Sequence, residues 1–146
     1  MKWTTVTILT LLLAAGCGGG GGGDAADGDA DHPLVQAAAK NLPEGDPQRG
    51  ASVYETCAAC HLLEPSPDEP AFAPHLQGII GREVAADGNY AYTEAMAGMQ
   101  GVWTEERLAA YLHAPEEYVP GTEMIQALPD WQDVADVIAY LRAQQP

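Results

Sequence analysis

Cys57-Ala58-Ala59-Cys60-His61 decides how the rest of the chain is read. Two thiols separated by two residues, with an imidazole directly after the second, read as a covalent haem attachment site. On a helix Cys57, Cys60 and His61 fall at i, i+3 and i+4, on one face. Two thiols so placed can form thioethers with the two vinyl groups of one haem, and His61 is then held under the iron as its proximal ligand. Two other chemistries use the same residue types. A redox Cys-x-x-Cys requires a βαβ pattern nearby, and the flanks here read helical. A zinc site requires four ligands, and no second Cys/His pair stands at suitable spacing.

Working outward toward the amino terminus, Asp46-Pro47 reads as an N-cap followed by proline at the first helical position. Gly50, Val53, Tyr54 and Cys57 then fall at i, i+3, i+4 and i+7, one buried face leading into the motif. Gly50 costs helix stability, and close contact with another helix would justify it. In the other direction Leu62 to Ala73 contains Pro65, Pro67 and Pro70 and reads as a loop. Pro74-His75-Leu76-Gln77-Gly78 and Gly81-Arg82 continue it. Thr93-Glu94 starts a short helical turn stopped by Gly98 and Gly101.

Thr104 is the next N-cap, with Glu105 and Glu106 favourably placed in the first turn. Leu108, Tyr111 and Leu112 form the buried stripe, and Pro115 ends the helix. Glu116 to Leu128 reads as a loop containing Pro120-Gly121-Thr122-Glu123-Met124. Asp130 caps a last helix with Val134, Val137, Ile138 and Leu141 on one face. No strand pattern competes. The expectation is an all-α domain over residues 45–146, with three longer helices and one or two short ones.

The amino-terminal third has a different composition. Met1-Lys2 is a minimal basic region, and Trp3 to Ala15 is an uncharged, largely apolar run. That run is too short for a bilayer span, which takes ~20 residues, and suits a secretory signal over residues 1–16. Leu13-Ala14-Ala15-Gly16-Cys17 resembles the lipobox of bacterial lipoproteins, in which the Cys becomes the lipidated first residue, although Ala14 stands where Leu is commoner. Ordinary cleavage with a soluble product is the alternative. Of three Cys residues, two would go to haem and Cys17 to lipid, leaving none for a disulfide. Residues 17–44 read as a lipidated Cys and a Gly-rich, then acidic, flexible linker, holding the domain on the periplasmic side of a bacterial membrane.

The formal net charge is −15, and loss of the signal removes Lys2 and makes it more negative. Such acidity excludes nucleic acid as a natural partner and disfavours adhesion to anionic lipid. It favours redox partners with a basic docking surface. There is no Ser/His/Asp set, no paired acids and no phosphate loop, so neither enzymatic chemistry nor a small-molecule substrate is expected.

Residues 45–145 resemble a class I c-type cytochrome of the mitochondrial and photosynthetic-bacterial kind. The markers are Cys57-Ala-Ala-Cys-His61, Pro74-His-Leu-Gln-Gly78, Gly81-Arg82, Tyr92-Thr93, Trp103, Tyr111 and Tyr118-Val-Pro-Gly-Thr-Glu-Met124. The resemblance implies the cytochrome c fold around one haem c, covalent through Cys57 and Cys60. It implies Met124 as distal axial ligand, although a Met in a Pro-Gly loop taken alone reads as packing. His75 and His113, expected to be exposed, are the fallback ligands, and His32 falls in the linker. By the same resemblance the Pro74 carbonyl meets the outer nitrogen of His61, and Trp103 and Tyr92 donate hydrogen bonds to a propionate. Arg82 would balance propionate charge, Tyr111 would sit beside the Met124 sulfur, and Thr122 near the propionate side. The first and last helices of the domain would cross, with Gly50 and Tyr54 against Ile138 and Tyr140.

Three positions depart from the family pattern. Ala73 replaces a Gly, Met96 stands where Asn is common, and Glu116, Glu117 and Glu123 replace a Lys-rich surface. The implied function is a one-electron carrier shuttling between membrane-associated respiratory or photosynthetic complexes. The alternatives are a ligand-binding haem sensor or peroxidase with an open distal site, and a fixed electron-entry subunit of a larger oxidase or reductase. Trp131 is a weak hint of the last.

Overall fold

Local helix signals and one long-range crossing account for the architecture. The computed structural model describes residues 29–66 and 72–146, in which there are six helices: α1 Pro33–Asn41, α2 Pro47–Cys57, α3 Glu94–Ala97, α4 Glu105–His113, α5 Pro115–Tyr118 and α6 Trp131–Ala143. Among the described residues the only extended pairings are two isolated bridges, His61 with Ala73 and Glu83 with Val102. The all-α expectation holds. Each cap named from the sequence forms: the side chains of Asp46, Thr93, Thr104 and Asp130 accept from the first free amides of α2, α3, α4 and α6.

The core is the crossing of α2 and α6, the most extensive helix–helix contact in the fold. Gly50 lies where a Cβ would sit 1.9 Å from the Asp136 carbonyl oxygen, and a Cβ on Gly45 would be 2.0 Å from that of Ala135. Only glycine lets the two backbones approach this closely. One turn on, the Tyr54 and Tyr140 rings pack with centroids 5.0 Å apart. At the rim Arg49 clasps buried Asp136 through two bonds, Nε to Oδ2 at 2.8 Å and Nη2 to Oδ1 at 2.9 Å. The Asp46 amide and the Gln132 side chain also donate to Asp136, at 2.7 and 2.9 Å. The bonds from Arg49 lead in holding the Asp136 carboxyl down at about 2.

Three expectations need correction. Residues 33–41 are not spacer: they form α1, which packs on α4 and buries Val35 and Ala38. His32 caps α1 and Pro33 occupies its first turn, so Leu34, Val35 and Ala38 can share one apolar side. The longer helices therefore number four rather than three, and the described fold starts ahead of residue 45. Residues 116–118, expected as loop, join Pro115 in the single turn α5, because Pro115 supplies the φ of a first helical position. α4 is also buried beyond its expected stripe, from Arg107 through Leu112 without interruption, since α1 and α6 both pack against it. The signal, Cys17 and the linker before Asp29 lie outside the described residues, as do Pro67 and Pro70. No described helix is long and apolar enough to cross a membrane.

Candidate haem-attachment site

α2 delivers Cys57 as its last residue, and Ala58 to Cys60 follow as a turn rather than as more helix. The expected one-face geometry survives through two bonds. The amides of Cys60 and His61 both donate to the Cys57 carbonyl, at 3.0 and 2.9 Å. One turn of helix-like backbone thus holds the three side chains together although the helix proper has ended. Both thiols are free, Cys57 half-buried and Cys60 exposed. Burial pushes the Cys57 thiol up and so keeps it protonated.

His61 is oriented by its neighbours. Its Nδ1 lies 2.6 Å from the Pro74 carbonyl oxygen, which can only accept, so Nδ1 carries the proton. Burial pulls the ring's pKa down, against that bond, and keeps it neutral. The Nε2 lone pair is then the one presented for a metal, and no hydrogen bond engages it among the described residues.

Pro74 is itself held on both sides. Ala73 bridges to His61, and the His75 amide donates to Asp87 Oδ2 at 3.2 Å. His75, expected to be exposed, is half-buried and bonds Asp87 through Nδ1 at 2.7 Å, while Arg82 donates to its Nε2 at 2.7 Å and to its carbonyl at 2.5 Å. Burial alone would raise the Asp87 carboxyl. The Asn89 amide and the two His75 donors outweigh burial and hold it below the usual carboxylate range. Asp87 and this use of His75 were missed in the sequence. Asp87-Gly88-Asn89 signals a turn, but nothing local shows which way its carboxylate points. Arg82 accordingly spends donors within the chain.

Of the other aromatic and polar residues, Tyr111 and Thr122 lead to Met124. Trp103 and Tyr111 are buried with ring centroids 5.2 Å apart. The Tyr111 hydroxyl lies 2.6 Å from Thr122 Oγ1, which also accepts the Met124 amide at 3.2 Å. Met124 is half-buried against the core cluster, as is Tyr92, whose hydroxyl accepts from the Asp87 amide at 3.4 Å. Gly121, at φ +92°, makes the turn that brings the loop back. His113, expected to be exposed, stacks on Trp131 at 3.9 Å and bonds the Leu128 carbonyl at 3.2 Å, which also gives Trp131 a place within the chain. His32 is spent as the α1 cap. No group of three or more His, Cys, Asp or Glu converges as a metal cluster among the described residues, so the zinc reading finds no ligand set.

The family profile described as Cytochrome c matches residues 47–145. The chain belongs to the cytochrome c family. It is similar to a cytochrome c homolog of Rickettsia typhi, 39% identical over 108 residues, covering 70% of this chain and 61% of that one. A cytochrome c-type cyt cy of Rhodobacter capsulatus is 43% identical over 99 residues, 66% of this chain and 48% of the relative. A cytochrome c of Theileria annulata is 40% identical over 103 residues, 69% of this chain and 88% of the relative. The chain thus spans about half to three fifths of the two bacterial relatives. A cytochrome c domain carries haem c covalently, and Cys57, Cys60 and His61 fit that group: two free thiols one turn apart beside an imidazole with a fixed tautomer.

Proposed function

We infer that the protein is a single-haem, one-electron carrier with His61 and Met124 as axial ligands. The observation that carries this is His61, placed one helical turn from Cys57 and locked through Nδ1 to Pro74, so that Nε2 is presented for the iron. Haem c supplies the one-electron ferric/ferrous couple. The chain's own residues supply the rest. The Thr122 and Tyr111 hydroxyls pin the backbone of the loop bearing Met124. A thioether ligand favours the ferrous state and raises the potential relative to two histidines. Trp103 and Tyr92 keep an N–H and an O–H available for the propionates, because among the described residues neither group donates a hydrogen bond. Arg82, only partly engaged with His75, adds positive charge on the same side.

Two protein ligands leave no open coordination position, which favours carrier over sensor or peroxidase. Glu116, Glu117 and Glu123 are exposed beside the Met124 loop, which favours a partner with a basic docking surface. Cys17 as a lipid anchor would hold the protein on the periplasmic side of a bacterial membrane, near quinol-oxidising and terminal complexes, and raise their effective concentration. With α1 docked, residues 33–41 do not belong to the spacer. Mass spectrometry reading acyl mass at Cys17 tests the anchor.

The axial pair is tested by the ferric absorption spectrum, with Met124→Ala beside the native protein. A long-wavelength sulfur-to-iron band, lost in the variant, is the expected result. No band, with ready binding of carbon monoxide or cyanide, would overturn the carrier reading in favour of an open site.

A further inference from the structure

Arg107 is the bulkiest fully buried side chain of the described residues, 2% exposed in the first turn of α4. A guanidinium taken out of water needs a counter-charge. Its ionic partner is Asp29, ahead of the stretch that matches the family. The Arg107 Nε–H points at the Tyr118 hydroxyl, 3.1 Å away, and Tyr118 in turn donates to Asp29 Oδ2. Asp29 Oδ1 lies 2.5 Å from Arg107 Nε, off that N–H direction, so it pairs by charge and has no hydrogen bond of its own. Nη1 donates to the Val102 carbonyl at 2.7 Å. The His32 ring stands edge-on to Tyr118 at 4.9 Å, so the start of α1 is packed against the same residue.

Tyr118 ends α5 and begins the loop that carries Met124. From it the Val119 carbonyl accepts the Thr122 amide at 3.0 Å, and Thr122 Oγ1 takes the Met124 amide. A second route runs through the Tyr111 ring, 6.3 Å from that of Tyr118 and bonded to the same Thr122 hydroxyl. Both routes converge on Thr122.

We propose that Asp29 is a positioning residue for Met124. It neutralises Arg107, clamps Tyr118, and thereby keeps the ligand loop closed. This rests on the Met124 reading above. Without the carboxylate, Arg107 gains hydration by opening the nearest movable cover, which is α5 and the loop that follows. The loop-open fraction rises, and with it the access of external ligands to the iron.

The test uses the ferric holoprotein with cyanide as the probe. Asp29→Asn is expected to speed cyanide binding roughly tenfold, a modest coupling for residues in one bonded network. The sulfur-to-iron band should fade at lower temperature while haem content stays unchanged. Asp29→Glu should restore part of the native rate. In an Arg107→Met background, Asp29→Asn should add nothing, because the charge it neutralises is gone. Tyr118→Phe, which removes only the bridging hydroxyl, is expected to move the cyanide rate in the same direction and serves should Asp29→Asn fail to fold. A native band with cyanide rates unchanged in Asp29→Asn and Tyr118→Phe overturns the proposal and leaves Met124 ligation intact. Absence of the band from the native protein overturns Met124 ligation, and the proposal with it.

Discussion

Gly50 shows how much one hydrogen atom in place of a methyl group decides. Its α-carbon is pressed against the Asp136 carbonyl, so a Cβ has nowhere to go unless α2 and α6 separate. Gly50→Ala is expected to lower stability by about 3 kcal/mol, at the upper end for overpacked cores. A denaturant midpoint at the native value would mean that the crossing is looser than described. Pro74 works by another means. It offers no amide to its surroundings, and its carbonyl is the group that fixes the His61 tautomer. The residue-scale features of the attachment motif depend on chain neighbours. Their partners were not nameable from spacing alone; Pro74 was anticipated through the family resemblance.

At the scale of elements, α1 is the largest addition to the expected fold. Its alanine-rich sequence has few apolar anchors, and its stability comes from docking on α4 rather than from propensity. Ala38 is fully buried where the two helices meet. Ala38→Asp would place a carboxylate against α4 and is expected to detach the helix, destabilising the protein by roughly 2–3 kcal/mol as the apolar side of α1 returns to water. Limited proteolysis reads this directly. Cleavage within residues 29–43 should appear in the variant and be slow in the native protein, with haem retained in both. Equal cleavage rates would mean that the docked helix contributes little. The α5 turn illustrates the opposite case, since Pro115 was legible as the stop of α4, which it is, and also serves as a helix start.

For the whole molecule, charge is the dominant property. A formal net charge of −15 over 146 residues makes the encounter with any redox partner strongly dependent on screening. Electron exchange with a cationic reagent such as hexaammineruthenium is expected to slow severalfold as ionic strength rises from ~10 mM to ~0.5 M. Over that range the Debye length shrinks from ~30 Å to a few Å. Exchange with anionic ferricyanide should speed up. Stopped-flow rates against salt check both signs, and a cationic rate that rises with salt would contradict an acidic docking face.

The attachment motif, the starts of α2, α3, α4 and α6, the α2–α6 crossing through Gly50 and the acidic balance were determined by the sequence itself. Most of these depend on residues within a few positions of one another, where spacing and side-chain chemistry suffice; the crossing was anticipated through the family resemblance. Only the tertiary structure decided that α1 docks, that Asp87 and Arg82 enclose His75 beside Pro74, and that Asp29 reaches Arg107 and Tyr118. Asp29 and Tyr118 are 89 positions apart. A spare carboxylate in an acidic chain and an arginine on an amphipathic helix each look solvated in isolation. What makes them a pair is the desolvation imposed when α1, α4 and α5 close over them, and that burial is a property of the packed fold.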